Sequence, residues 1–434
     1  MIKGVSGFSK LSKSEKIEWI TKSFFKNPDT AKLELNKYWN SDHEIQQKHD
    51  EFIENTLSNF YMPLGVAPNF LINNEIITMP MVIEESSVVA AASNSAKYWL
   101  KRGGFHAEVI NVEKVGHIHF LYKGKKKNLH LFFEENKNVL LKSCDDISSN
   151  MKMRGGGILS ITLNDKTEHL ENYFQIDARF NTADSMGANF INSCLEKMAS
   201  TLKSISIKSD LLDENDLDVV MSILSNYVPN CLVKSWVCCP VKDLDENNGF
   251  SAGEFAKKFV NAVKISEIDL SRAVTHNKGI MNGIDSLALA TGNDFRAIEA
   301  SVHAYASRSG IYSGLSKASI KDDIFTLEMT IPLSIGTVGG LTNLHPLVKW
   351  SLELLKTPNS KELMQIIGVA GLAQNFAAIR SLITSGIQKG HMKMHLLNIL
   401  NRMEVTDNEK VKAIEYFKTN TVSYKSVEEF LKSL

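Results

Sequence analysis

The sequence predicts an α+β fold: a large, mostly helical domain that takes a small α+β domain as an insertion, followed by a short helical unit at the C-terminal end. Three observations carry this. Near both ends of the chain apolar residues recur at three- and four-residue spacing, as on helices that bury one face. In the middle, apolar and polar residues alternate as in half-buried strands, but strands and helices do not take turns as a doubly wound sheet requires. No GxGxxG follows a strand, so a Rossmann unit is not indicated. At 434 residues, and about 150 residues per domain, two or three domains are expected.

Within residues 11–60, LSKSEKIEWITKSFF and HEIQQKHDEFIENTLSNF read as helices. Pro63, Pro68 and Pro80 then punctuate an extended region, with Asn73-Asn74 as the turn between two short strands. SSVVAAASNSAKYWLKRGG reads as a small-residue helix stopped by Gly103-Gly104, its Ala/Ser face open to close approach of another backbone. FHAEVINVEKVGHIHFLYKG reads as a strand pair, followed by a charged segment. GGGILSITLND and NYFQIDARFNT read as two more strands, Asp184 to Ile205 as a helix, and VPNCLVKSWVCCPV as a last strand. This places the inserted domain at about 106–218, within a large domain of 1–105 and 219–378. From Ser251 the pattern is mostly helical, interrupted by the β-like IFTLEMTIPLSIGTVGG. KELMQIIGVAGLAQNFAAIRSLI is a strong helix, and the amphipathic tail, 379–434, forms the small C-terminal unit.

Lys plus Arg (49) equals Asp plus Glu (49), so nothing points to nucleic acid or to an anionic membrane, and any anion site must be built locally. The five cysteines form no CxxC pair, which fits buried thiols in a reducing cytoplasm. The first twenty residues lack the apolar core of a signal peptide. Met329 to Val348 has no Asp, Glu, Lys or Arg, yet its two prolines and three glycines argue against a membrane span. A soluble, cytoplasmic protein is expected.

Polar residues concentrate in Ser271 to Ala297, where Arg272, Thr275, His276, Lys278, Asn282, Asp285, Asn293 and Asp294 stand among apolar runs. Lys278 and Asp294 are too far apart for a helix-face pair, so the chain must fold back if they are to meet. Glu84-Glu85 ends a strand-like run. It suits a helix N-terminus, and equally a carboxyl group raised by burial and its like-charged neighbour into a proton donor. Asp184-Ser-Met-Gly-Ala-Asn189 reads as a helix start, with an Asp cap or a seat for phosphate or ribose. Gly336-Thr-Val-Gly-Gly-Leu-Thr342 lacks the Walker lysine; it is a turn or a loop whose N–H groups face phosphate. His391 and His395 have zinc-like spacing. Met392 stands where a zincin needs Glu and no third ligand is evident, so no metal is expected and a general acid is the sharper reading.

Taken together, PMVIEESSVVAAAS, DSMGAN, THNKGIMNGID with ATGNDFRA, GTVGG, GLAQN and GHMKMH resemble, in order, the class II (soluble bacterial) 3-hydroxy-3-methylglutaryl-coenzyme A (HMG-CoA) reductases. The resemblance runs from about Ile53 to His395. It implies a large domain around a long central helix that binds the acyl-CoA, an inserted ferredoxin-like domain for the dinucleotide, and a C-terminal flap. It further implies reduction of HMG-CoA to mevalonate and coenzyme A by two NADH or NADPH, in the mevalonate pathway, by a homodimer or a multiple of dimers. The same enzyme run oxidatively, in mevalonate catabolism, is the alternative.

By that resemblance Lys278 stabilises oxygen charge, Asp294 holds the lysine charged, Glu85 handles protons at the aldehyde stage and His391 protonates the departing thiolate. Ser87, Arg272, Thr275, Asn282 and Asn375 would contact substrate, with Arg272 on its carboxylate. Asp184, Met186, Gly187 and Asn189 would meet the dinucleotide, together with Asn226, Gly336 and Gly339. The choice between NADH and NADPH would fall within Asp145 to Arg154, at Asp145, Asp146 or Ser148. The chain departs from the family pattern with Ser185 in place of Ala and Ser86 in place of Pro.

Overall fold

A strand that buries one face needs a layer to cover it, and this chain supplies helices to cover two separate four-stranded sheets. The structure, a computed structural model, describes residues 4–213, 215–244, 250–384, 396–397, 399–403, 405–417 and 420–434. Three capped helices come first, α1 (Lys13–Phe24), α2 (Pro28–Lys37) and α3 (His43–Asp50); Ser12, Asn27 and Asp42 each accept a backbone N–H that the helix leaves unpaired. Strands β1 (Leu64–Ile72) and β2 (Glu75–Val82) form an antiparallel hairpin. Its turn residues, Asn73 and Asn74, take φ of 48° and 71°, the left-handed pair that Asn tolerates and a tight hairpin requires. Helix α4 (Val88–Leu100) and strand β3 (His106–Val109) follow.

The next stretch is the small sheet and its cover: β4 (Lys114–Tyr122), α5 (Lys126–Lys142), α6 (Asp145–Met153), β5 (Gly157–Asp165), β6 (Tyr173–Asn181), α7 (Ala188–Ser206) and β7 (Leu217–Ser225). Its order is β5-β6-β4-β7, antiparallel throughout, as the ferredoxin-like expectation requires. Phe120, Phe132, Phe174, Phe180, Leu195 and Met198 build its core.

The larger part continues with β8 (Leu232–Pro240), α8 (Ala252–Ile268), α9 (Leu270–Ala290), α10 (Phe295–Ala306), β9 (Ser316–Lys321), β10 (Ile324–Pro332), α11 (Pro346–Leu354) and α12 (Ser360–Ile383). Its sheet has the order β3-β8-β10-β9. By length and composition α12 could cross a membrane, but it is a core helix, with an unbroken run from Ile366 to Phe376 buried. It lies very close to α9: a Cβ on Gly283 would stand 2.3 Å from the Ala370 carbonyl oxygen. The Ala/Ser face of α4 admits α12 as expected, with Ser95 Oγ donating to the Ala373 carbonyl at 2.7 Å. Two short helices, Asp407–Tyr416 and Tyr424–Lys432, pack around Leu400, Ala413 and Val427.

Three sequence expectations need correction. The strand pair expected from FHAEVINVEKVGHIHFLYKG is two strands of different sheets: β3 pairs with β8, and β4 with β6 and β7. The last strand, β8, belongs to the large sheet, while β7 closes the small one and was not anticipated. The small sheet therefore draws its strands from residues 114–225, beyond the C-terminal end of the 106–218 expected.

Candidate active site

Helix α9 is the frame of the site. Asp269 caps it, its carboxylate accepting from the Arg272 N–H at 2.6 Å, and 21 residues run on without a break. Lys278 projects from its middle, and Lys278 Nζ donates to Glu85 Oε2 at 2.8 Å. Glu85 stands in the turn between β2 and α4, where Ser87 takes φ of 75°, an uncommon left-handed conformation for a residue with a side chain. Of the Glu84-Glu85 pair it is thus the second that meets the lysine, and the neighbour that matters to it is a cation rather than Glu84. Both partners are open in the single chain: the Lys278 side chain is 59% accessible and that of Glu85 38%.

Along the same helix, Arg272 lies six residues, nearly two turns, toward the N-terminus, half-buried, with Thr275 between it and Lys278 and Asn282 just beyond. Among the described residues no carboxylate lies in ion-pairing reach of the Arg272 guanidinium, whose pKa burial pulls below its usual value. An unpaired, partly desolvated guanidinium is a ready partner for a ligand carboxylate. Asn375 is buried on α12; it accepts from Ser316 Oγ at 2.8 Å and lies 3.1 Å from His276 Nε2. Burial, helped by the Arg272 charge, pushes the His276 pKa down to about 3, so its ring is neutral.

Asp294 is not near Lys278. The expected fold-back is absent, because α9 runs straight to Ala290 and its rise of about 1.5 Å per residue puts roughly 18 Å between Lys278 and that end. Asp294 caps α10 instead, accepting from the Arg296 and Ala297 N–H groups and pairing with Arg296 Nε at 3.1 Å. Between these two points, burial and then Glu299 push the Asp285 carboxyl up to about 8; it is neutral beside a Glu299 carboxylate that His303 holds charged at 2.6 Å.

Asp294 lines a cavity of about 930 Å³, together with Met186, Gly187, Asn189, Gly336 and Gly339. Two glycines make this cavity by letting loops touch. A Cβ on Gly336 would stand 2.4 Å from the Met186 nitrogen, and one on Gly187 2.3 Å from Thr182 Cγ2. Asn293 Oδ1 fixes the Gly336 N–H at 2.8 Å, and Thr337 N–H donates to the Asp184 carbonyl at 2.8 Å. The Asp184 carboxylate points elsewhere, accepting from Ser360 N–H at the start of α12 at 2.9 Å. Asn226 lines a small neighbouring recess with Met186 and Ala188.

None of Asp145, Asp146 and Ser148 lines the cavity. Asp145 pairs with Lys152 at 2.7 Å and Ser148 is buried, whereas Met151 and Arg154 do line it. Arg154, Phe190 and Arg296 are cavity residues that sequence reasoning did not single out: Arg154 ends the Asp145 to Arg154 stretch, Phe190 directly follows DSMGAN, and Arg296 lies within ATGNDFRA. Lys114, whose ammonium supports the cavity floor, was also missed; its signal was a cation at a buried position of an alternating strand. His391 and His395 lie outside the described residues.

Comparison with known proteins finds a family and a fold for the chain. The hydroxymethylglutaryl-coenzyme A reductase family model matches residues 13–396. The chain is 32% identical over 414 residues to the 3-hydroxy-3-methylglutaryl-coenzyme A reductase of Archaeoglobus fulgidus, covering 95% of this chain and 90% of that one. It is 33% identical over 389 residues to a probable reductase of the same name from Borreliella burgdorferi, covering 88% and 86%. Among solved structures, the class II 3-hydroxy-3-methylglutaryl-CoA reductase of Streptococcus pneumoniae, bound to NADPH in open conformations, matches with a TM-score of 0.72 at 34% identity, over 88% of this chain and 100% of that one.

Proposed function

Because the chain belongs to the hydroxymethylglutaryl-coenzyme A reductase family, a family of oxidoreductases, we propose that it reduces HMG-CoA to mevalonate and coenzyme A in two steps, using two equivalents of reduced nicotinamide dinucleotide in the biosynthetic direction. The observation that carries this is the Lys278–Glu85 pair, an ammonium and a carboxylate 2.8 Å apart on separate elements, with an unpaired Arg272 on the same helix as the lysine. A substrate carboxylate on Arg272 leaves the thioester carbonyl free to lie against the Lys278 ammonium, which stabilises the oxyanion as the carbonyl is reduced. The dinucleotide supplies hydride when bound. At the aldehyde stage the oxygen takes its proton from the Lys278–Glu85 pair, the Lys278 ammonium giving it and Glu85 handling the proton that restores the ammonium. His391 protonates the departing thiolate, whose ordinary pKa of about 8.5 lets an imidazolium trap it. Asn375, expected on the substrate, is buried with its side-chain amide bonded to Ser316 and His276, and steadies His276 on α9 instead.

The cavity beside α7 fits the dinucleotide: it has the volume, loop backbones brought together by Gly187 and Gly336, and Arg154 on its wall. Among the described residues no carboxylate pairs with Arg154, which favours the extra phosphate of NADPH over NADH. We take residues about 113–226 as the dinucleotide-binding unit and 379–434 as the flap.

Two features support a homodimer with composite sites. An ammonium as open as Lys278 is screened by water and is a poor stabiliser of an oxyanion until covered. Asp294, to which the resemblance gives the task of holding it, caps α10 beyond the far end of α9, out of reach within one chain and left for a second copy to supply. The test is loss of the reduced nicotinamide's absorbance with HMG-CoA and each cofactor in turn. Two cofactors are consumed per thioester, NADPH faster than NADH, and Lys278→Ala abolishes turnover. No consumption by the unmodified protein with either cofactor would end this reading.

A further inference from the structure

The turn that floors the dinucleotide cavity rests on a buried cation for which the proposed reaction has no use. Lys114 opens β4, is only 4% exposed, and directs its ammonium at the turn of residues 182–187. Its three protons are matched by three acceptors: Thr182 Oγ1 at 2.6 Å, the Ser185 carbonyl at 2.8 Å and the Met186 carbonyl at 2.9 Å. All three acceptors are neutral. The charged groups nearby are engaged with one another: Glu113 pairs with Arg179, Asp294 with Arg296, and the Asp184 carboxylate accepts from Ser360 N–H. Helix α7, which starts beside the turn, has no acidic residue in its first turn. The remaining titratable group facing the ammonium is the Cys231 thiol, which burial pushes up to about 11 and so keeps neutral.

A buried charge without a counter-ion is costly, and three hydrogen bonds to neutral acceptors offset that cost only in part. The cost is offset when an anion settles on the far side of the turn. We propose, resting on the dinucleotide reading above, that Lys114 is the buried counter-charge of the dinucleotide's diphosphate. It is a positioning residue whose ammonium bonds the turn, and through the Ser185 and Met186 carbonyls holds the cavity floor in the shape the diphosphate needs. A neutral amine has two protons to give where the ammonium has three, so deprotonation frees one acceptor and slackens the turn.

Burial pulls the Lys114 pKa down to about 8, within reach of experiment. The sign follows from linkage: a bound anion raises that pKa, so binding is full strength below the free value and is lost as pH rises through it. NADPH affinity of the full-length protein, measured by titration calorimetry, should fall about tenfold or more between pH 7 and pH 9.5. At pH 8.5, in two buffers of different ionisation heat, the unmodified protein should take up a fraction of one proton on binding. Lys114→Met should bind about tenfold more weakly at pH 7 and with no slope. An unmodified protein whose affinity is flat with pH and which takes up no proton overturns the role of the lysine, whatever the variant does. Absence of NADPH binding by the unmodified protein at pH 7 instead removes the dinucleotide reading, and this inference with it.

Discussion

Gly336 leaves no room for a side chain, because the atom in the way is the Met186 backbone nitrogen and not the tip of a movable group. Gly336→Ala must therefore part the two loops at the cavity floor. Overpacking of this kind costs about 1–3 kcal/mol, and the loss should appear as an NADPH KM raised at least several-fold while the affinity for HMG-CoA is held. Equal weakening of both ligands would deny the loop a specific place at the cofactor. Much at this scale was readable in advance. The motifs around Glu85, Lys278, Gly187 and Gly336 announced themselves through glycines and charges set in apolar runs. What stayed hidden were residues defined by neighbours distant in the chain: Arg154 reaches the cavity because α6 ends there, and Lys114 matters because of what β6 and α7 lay over it.

Helices α9 and α12 cross with glycine at the contact, and the chemistry of the site depends on that closeness, since Lys278 and Asn282 ride on α9 and Asn375 on α12. In Gly283→Ala the new methyl would gain about 1 kcal/mol of helix propensity. Against that stands a contact of 2.3 Å with a backbone oxygen that cannot step aside, and overpacking commonly costs 1–3 kcal/mol or more. The strain should win: thermal unfolding at a lower temperature, together with reduced turnover, is the expected outcome. A stabilised variant would mean the helices separate without penalty. The helices and the Asn73-Asn74 hairpin were legible because periodicity and turn chemistry are local. Strand partnership is not local. The β7 strand hides its pattern, with Val220, Met221 and Ile223 all exposed, and β3 and β4 lie a few residues apart yet serve different sheets.

Over the whole molecule, the separation of Lys278 from Asp294 makes a prediction about assembly. If each reaction centre takes its lysine from one subunit and Asp294 from the other, Lys278→Ala and Asp294→Ala chains should each be inactive yet rescue one another when co-expressed. Random pairing makes half the dimers mixed, and each mixed dimer has one intact site of two, so about a quarter of the unmodified activity should return. No recovery, with mixed dimers demonstrated by mass, would place both residues' work within one subunit. This property was readable from sequence only as a conditional, that the chain must fold back for the pair to meet; the unbroken run of α9 keeps the two apart within one chain.

The turn of residues 182–187 is bonded on three sides: to Lys114 in its own sheet, to the loop at Thr337, and to the first residue of α12. The small sheet is thereby stitched to the large body beneath the pocket floor instead of at its rim. Whatever fills that pocket leans on the stitching itself. On the proposed two-step reaction, in which one spent dinucleotide leaves and another enters within each turnover, grip on the cofactor would then be tied to the tilt between the small sheet and the large one.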